Sequence, residues 1–175
     1  MCSSDLHRAD LILTSGGVSM GAYDTVKEVF TDMGTVKFTK VAMHPGMPQG
    51  HGHVLDEERD PIPVITLPGN PVSSYISFQN FVLPAIHRLR GLPASSRTST
   101  VAEIVSGFDS PLEKRQFARG KFIDGERVEP IGSGQGSHVV GGLAQSDCLI
   151  VVPEGVARVN AGDRVDIIDL RMDVR

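Results

Sequence analysis

Short apolar runs punctuated by glycine and proline make up the first half of the chain. Residues 9–14 (ADLILT) form an apolar run before Gly16-Gly17, a pattern typical of a buried parallel strand. Apolar side chains then recur at helical spacing across residues 24–33 and predict a one-sided helix. Residues 36–43 (VKFTKVAM) and 63–67 (PVITL) are rich in β formers and predict two further strands, with a shorter one at 54–55.

A second helix is predicted directly after the last of these strands. Asn70 is a natural N-cap and Pro71 suits the first helical position. We expect the helix to reach Arg90, with a kink at Pro84. The order strand, helix, strand, strand, helix predicts an α/β layer with parallel pairing, in which ligands bind beyond the carboxyl ends of the strands.

The pattern changes after a linker at residues 91–96. Short β-like runs then alternate with glycine or proline turns, and no long helix is indicated. We therefore expect an α/β domain over residues 7–92 and a small all-β, barrel-like domain over residues 97–175. Residues 2–6 resemble a translated sequencing-adapter scar, so residues 1–6 are excluded from the fold prediction. The predicted strands of the second domain lie at 98–105, 116–123, 127–130, 148–152 and 165–168.

Composition narrows the functional classes. The chain has 175 residues and a net charge of -4, and its lysines and arginines are scattered, which disfavours nucleic-acid binding. It contains neither an apolar stretch long enough to cross a membrane nor a signal-peptide pattern, so we expect a cytoplasmic protein. Cys2 and Cys148 lack the spacing of a redox or zinc motif.

Two glycine-bearing loops carry the clearest chemical signal. Each follows a predicted strand and precedes a predicted helix, where small residues let backbone N–H groups converge on an anion such as phosphate or molybdate. A glycine pair after a strand is also common turn punctuation, so the two loops together matter more than either alone. The predicted binding residues are Thr14, Ser15, Gly16, Gly17 and Ser19 in the first loop, and Pro68, Gly69, Asn70, Pro71 and Ser73 in the second.

Other polar residues give weaker signals. His51 and His53, with His44, invite a metal-site interpretation, but His-Gly-His in a glycine-rich loop has no fixed geometry. We therefore expect these residues to form a loop without a structural metal. The serines of the two loops have no histidine at interpretable spacing, so covalent catalysis is disfavoured. Positioning and electrostatics should dominate the chemistry.

Four segments together resemble a known family. The runs TSGGVSMGAYDTVKEVF, KVAMHPGMPQG, LPGNPVSSYISF and GSHVVGGLAQSDCLIVVPEG, with AGDRVDI after them, are similar to the molybdopterin molybdenumtransferases, the family of MoeA and the gephyrin E domain. The resemblance extends from Ala9 over nearly the whole chain. It implies a truncated molybdopterin-binding three-layer α/β domain followed by a small β domain. The chain would be a carboxyl-terminal fragment of a protein that forms an elongated homodimer.

The resemblance also implies a reaction and residues that serve it. The family takes adenylyl-molybdopterin and molybdate, releases AMP and uses a divalent cation such as Mg²⁺. Asp24 matches an acidic position expected to be catalytic and to hold the metal, although it could simply stabilise a helix N-terminus. Lys40 matches a catalytic basic position facing the anions, although a strand lysine is often merely solvated. His44 stands where some relatives have lysine, and Ser137 lies in a stretch near the family's cleft; a loop histidine and a turn are the simpler interpretations.

Two other functions stay open at this point. The chain could be a pterin-binding or scaffold module without catalysis, because the family's remaining domains normally help to complete the active site. It could also perform the related molybdopterin adenylyltransferase step. That family typically shows a TGGTG-like loop and has no β domain after the linker, and both features argue against it.

Overall fold

The computed structural model describes residues 9–16, 28–30, 35–56, 59–93, 100–132 and 140–171. Its contacts divide the chain into two compact units. The first unit comprises Met1–Val41 and Gly46–Ser95, and the second comprises Ala42–Pro45 and Ser96–Arg175.

The strands are, in chain order, β1 (Ile12–Ser15), β2 (Val36–Lys40), β3 (Met43–His44), β4 (Pro48–Asp56), β5 (Arg59–Leu67), β6 (Thr100–Ile104), β7 (Phe108–Asp109), β8 (Arg115–Phe122), β9 (Arg127–Pro130), β10 (Cys148–Val152), β11 (Arg158–Val159) and β12 (Arg164–Asp169). The helices are α1 (Pro71–Ser77), a π-helical turn (Phe78–Val82), α2 (Leu83–Leu89) and α3 (Val140–Ala144).

The first unit contains a mixed four-stranded sheet with the order β1-β5-β4-β2. Only β1 and β5 pair in parallel, whereas β4 is antiparallel to both β5 and β2. The predicted parallel pairing is therefore confirmed for β1 and β5 and is wrong for the pairings of β4. Only residues 57–58 separate β4 from β5, and a parallel connection needs a crossover of a dozen or more residues.

Strand β4 is longer than the sequence pattern indicates. The prediction places a short strand at 54–55, but the strand spans Pro48–Asp56. A side chain at Gly50 would place its Cβ 2.3 Å from the Thr66 hydroxyl oxygen, and one at Gly52 would place it 2.1 Å from the Thr35 carbonyl oxygen. These glycines are thus required by close neighbours in the sheet rather than by a turn. The expectation that residues around His51 and His53 form a loop is wrong.

The predicted strand at 36–43 is interrupted. Strand β2 ends at Lys40, and β3 pairs with β8 of the second unit, with His44 opposite Gln116. The chain thus leaves the first sheet after Lys40 and returns at Pro48, the partner of Lys40 in β4. A local pattern of β formers cannot distinguish one strand from two that belong to different sheets.

The helix predicted after β5 is confirmed. It is interrupted by one irregular turn, which lies just before Pro84, where a kink was predicted. The π-helical turn separates α1 from α2, and the Leu83 N–H donates to the carbonyl of Phe78, five residues earlier. Pro84 has no N–H to donate within the helix. The apolar face of this helix buries Val72, Ile76 and Val82. Of the helix predicted at 24–33, residues 28–30 are helical and the others lie outside the described part of the chain.

The second unit is a small β barrel, as predicted. Strand β10 pairs with both β12 and β8, which closes the order β10-β12-β6-β9-β8, and β3 pairs with the first two residues of β8. A short β7–β11 pair and helix α3 were not predicted from the sequence. No helix in the described residues is long and apolar enough to span a membrane. The buried core consists of Ala102, Ile104, Ala118, Val128, Cys148, Ile150, Val152, Val159 and Ile167.

Candidate functional site

The two glycine loops meet at one edge of the first sheet. Ser15 and Leu67 are partners at the ends of the parallel strands β1 and β5, and the Gly16 N–H donates to the Leu67 carbonyl over 3.0 Å. A Cβ at Gly69 would lie 3.3 Å from the Gly16 Cα, so the backbones approach closely. Gly16 also has a φ of 85°, which favours glycine. We call this edge, where β1, β5 and β2 end, the loop edge.

The second loop is held by a helix cap. The Asn70 side-chain oxygen accepts hydrogen bonds from the N–H groups of Val72 and Ser73, each over 3.1 Å. The buried Ser73 hydroxyl donates to the same oxygen over 3.3 Å, and Ser74 donates to the Pro68 carbonyl. The side chains of Asn70 and Ser73 therefore support the loop itself. Pro71 occupies the first turn of α1, as predicted.

Lys40 brings a positive charge to the same edge. Because β4 is antiparallel to both of its neighbours, β2 runs in the direction of β1 and β5, and all three end at the loop edge. With strands about 4.8 Å apart, Lys40 lies roughly 10 Å from the end of β5 and roughly 14 Å from the end of β1. Its side chain is exposed, as binding of a dissolved anion requires.

A buried glutamine, not predicted from the sequence, fixes the backbone beside Lys40. The Gln49 side-chain nitrogen donates to the Gly46 carbonyl and to the Ser77 hydroxyl, both over 2.6 Å. The Val41 N–H donates to the Met47 carbonyl over 2.8 Å and closes the same turn. Gln49 therefore ties the turn after Lys40 to helix α1. Its position among glycines and histidines gave no indication of this role.

His44 belongs to the second unit, and its strand β3 pairs with β8. Burial lowers the pKa of its imidazole below the ordinary value of 6.5, and the nearby Lys114 lowers it further. The side chain is consequently uncharged at neutral pH and is a poor substitute for a lysine as an anion ligand. His44 therefore belongs to a different unit from the described binding residues of the two glycine loops.

Arg119 is a second polar residue that the sequence analysis missed. It lies on β8 with only 3% of its surface exposed, and burial lowers the pKa of its guanidinium. A Cβ at Gly142 of α3 would lie 2.9 Å from the terminal Nη1 of Arg119, so this glycine leaves room for the guanidinium. An arginine directly after the apolar residues Phe117 and Ala118 is the signal that could have identified it.

Several predicted residues lie outside the described part of the chain. These are Gly17 and Ser19 of the first loop, the acidic Asp24, and Ser137. Within the described residues, no group of three or more histidine, cysteine, aspartate or glutamate side chains could hold a metal ion. The geometry therefore supports an anion site at the loop edge, where Lys40 supplies a charged side chain within the described part of the chain.

The chain is similar to known proteins along most of its length. Residues 2–88 match the family model for the probable molybdopterin binding domain, and residues 102–170 match the MoeA C-terminal region (domain IV). Molybdopterin molybdenumtransferase 2 of Mycobacterium tuberculosis is 43% identical over 170 residues, which is 93% of this chain and 40% of that protein. The molybdopterin molybdenumtransferase of Haemophilus influenzae is 33% identical over 165 residues, covering 91% of this chain and 39% of that protein.

A solved structure shows the same fold. The molybdopterin biosynthesis MoeA protein of Pyrococcus horikoshii superposes with a TM-score of 0.74 at 27% identity, covering 96% of this chain and 39% of that one. The chain spans about two fifths of the length of the curated relatives named above. The two adjacent family matches, the relatives and the shared fold show that the chain belongs to the molybdopterin molybdenumtransferase family that includes MoeA.

Proposed function

We propose that this chain acts in molybdenum cofactor biosynthesis as the part of a molybdopterin molybdenumtransferase that binds adenylyl-molybdopterin at the loop edge. The observation that carries the proposal is the convergence of Gly16 and Gly69, with Lys40 at the same edge, in a member of this family. The reaction would place molybdate on the pterin dithiolene and release AMP.

Electrostatic positioning accounts best for the role of these residues. The glycine backbone can approach anionic oxygens closely, and the Lys40 ammonium supplies a compact positive charge for phosphate or molybdate. Group transfer between anions depends mainly on positioning and on stabilising negative charge. Lys40 would hold the anions and stabilise the charge that develops as AMP leaves.

Asp24 and Mg²⁺ belong to the proposal through the family alone. Hard cations take oxygen ligands and keep bound waters, so one carboxylate can hold a hydrated Mg²⁺. Asp24 lies outside the described residues, and these contain no group of three or more histidine, cysteine, aspartate or glutamate side chains that could hold a metal ion. The role of Lys40 does not depend on the cation. We also propose that the full-length protein is cytoplasmic and forms a homodimer, and sedimentation would test the dimer. Ser137 is proposed to line the substrate cleft.

Calorimetry with adenylyl-molybdopterin tests the binding site directly. Lys40→Ala should weaken binding by roughly 10- to 100-fold, the loss expected for a charge-assisted hydrogen bond. The matched control is Lys37→Ala, an exposed lysine on the same strand, three residues from the loop edge. Equal losses in the two variants, or no loss in Lys40→Ala, would contradict the proposal.

A non-catalytic pterin-binding or scaffold module is the second candidate. We keep it as an alternative because one relative, 29% identical over 182 residues, is named gephyrin, from Dictyostelium discoideum. Adding molybdate to the bound adenylylated pterin distinguishes the two candidates: AMP release supports the transferase, and tight binding without release supports the module. The adenylyltransferase alternative has less support because residues 102–170 match the MoeA C-terminal region. Transfer of AMP from ATP to molybdopterin by this chain would support that alternative instead.

A further inference from the structure

Two exposed histidines share one face of strand β4. His51 and His53 are separated by one residue in a strand that pairs with β5 on one side and β2 on the other. Side chains two apart in a strand point to the same face, and their Cα atoms are about 6.6 to 6.8 Å apart. The strand therefore provides the fixed geometry that a histidine pair in a loop would lack.

The intervening glycines determine which face carries the imidazoles. Gly50 and Gly52 point to the opposite face, where a Cβ would lie 2.3 Å from the Thr66 hydroxyl oxygen or 2.1 Å from the Thr35 carbonyl oxygen. A slip of the strand by one residue would turn the histidines into this crowded face. The register is thus fixed, and both imidazoles remain accessible.

The surroundings leave both imidazoles available to a ligand. Across from His51 lie Ile65 on β5 and Lys37 on β2, and across from His53 lies Pro63 on β5. Lys37 is the one charged side chain among these register partners, and its long stem can turn the ammonium away. No hydrogen bond or ion pair of either imidazole is found within the described residues, and the backbone of both histidines takes part in the pairing of β4 with its neighbours.

We propose that His51 and His53 together chelate one divalent transition-metal ion such as Cu²⁺, Ni²⁺ or Zn²⁺. Neutral imidazole nitrogen suits these ions and binds them at about 2.0 to 2.1 Å for zinc. No third side-chain ligand joins the pair among the described residues, so water completes the coordination and the ion exchanges readily. The site is separate from the anion site, because it needs neither the loop edge nor Lys40.

Metal titration of the whole chain tests the pair. The background carries Cys2→Ser to remove a competing thiol, and calorimetry uses Ni²⁺ or Zn²⁺ alone in a non-coordinating buffer at pH 7.5. We expect one bound equivalent whose affinity falls at least about tenfold in His51→Ala and in His53→Ala alike, since either change breaks the chelate. His87→Ala, a histidine on helix α2, is the matched control and should bind like the parent.

Three results would overturn the proposal. The first is no metal binding by the parent chain. The second is one bound metal ion per chain whose affinity is the same in the parent, in His51→Ala and in His53→Ala. The third is two independent equivalents, of which each substitution removes one. Because both side chains are exposed, the variants should fold normally, and unchanged circular dichroism spectra would verify this.

Discussion

A methyl group added at Gly69 would lie 3.3 Å from the Cα atom of Gly16, across the ends of two parallel strands. The two residues are separated by more than fifty positions in the chain, yet a side chain at Gly69 would press on the Gly16 backbone, whereas a Cβ at Gly16 would lie 3.9 Å from the Gly69 Cα. This relationship links the strand register to the candidate anion site. Any residue that separates the two backbones should disturb both the packing and the site.

Replacing Gly69 with valine tests this packing. The added side chain must push the backbone of Gly16 aside, so we expect the free energy of unfolding to fall by about 1 to 3 kcal/mol. Urea denaturation followed by circular dichroism measures the change. Gly125→Ala is the control, because nothing lies within 4 Å of a Cβ there, and it should change stability by less than about 0.5 kcal/mol. Unaltered stability in Gly69→Val would show that the loops are not in close contact.

Local signals were sufficient to predict strands β1 and β5 and helix α1 at this edge. The glycine pair after β1, the proline-glycine break after β5 and the Asn70-Pro71 cap each depend on conformations that only a few residues favour. The barrel of the second unit was likewise anticipated, because its short runs of β formers are separated by glycine and proline. These features depend on residues that are neighbours in the sequence.

Features that depend on distant neighbours could not be predicted in this way. Gly50 and Gly52 indicate a loop by composition, but the structure requires them because Thr66 and Thr35 lie against them. Gln49 and Ser77 are 28 residues apart, and their hydrogen bond exists only after β4 and α1 are in place. The departure of His44 into the second unit likewise reflects its pairing with β8.

The pH dependence of stability should reveal the environment of His44. Its pKa in the folded protein lies below 6.5, so the unfolded chain holds the proton more tightly. The contribution of His44 to the free energy of unfolding should therefore be constant above about pH 6.5. It should fall as the pH drops from there through the folded-state pKa of His44. Urea unfolding between pH 5 and 8 measures this trend. In His44→Gln the fall should be smaller, and an identical profile would contradict the assignment.

Two adjacent glycines in helix α3 should respond differently to alanine. Gly141 has open space around a Cβ, so Gly141→Ala should stabilise the second unit by about 0.5 to 1 kcal/mol by restricting the unfolded chain. At Gly142 the Cβ would lie 2.9 Å from the buried Arg119 guanidinium, which must then shift. We expect Gly142→Ala to be less stable than Gly141→Ala by about 1 to 3 kcal/mol. Equal denaturation midpoints would show that Arg119 moves at no cost.

Cys148 should be chemically inert in the folded protein. Burial raises the pKa of its thiol to about 12, and the neighbouring carboxylates of Asp147 and Asp169 act in the same direction. At pH 8 roughly one thiol in ten thousand would be ionised, and the thiolate is the reactive form. In a Cys2→Ser background, iodoacetamide should therefore label Cys148 only in denaturant. Rapid labelling of the native chain, measured by mass spectrometry, would contradict the burial of this residue.

Asn70 allows the structural and electrostatic roles of the second loop to be separated. Asn70→Ala removes the oxygen that caps α1 and should reduce the free energy of unfolding by about 1 kcal/mol. Asn70→Asp keeps the capping oxygen and should be nearly as stable as the parent. It also places a negative charge at the loop edge, so it should weaken binding of adenylyl-molybdopterin by about fivefold or more, with partial recovery at high salt. Calorimetry at two salt concentrations, together with urea denaturation, measures both effects. If Asn70→Asp binds the anion as tightly as the parent, the anion lies elsewhere, while the cap would still account for the stability data.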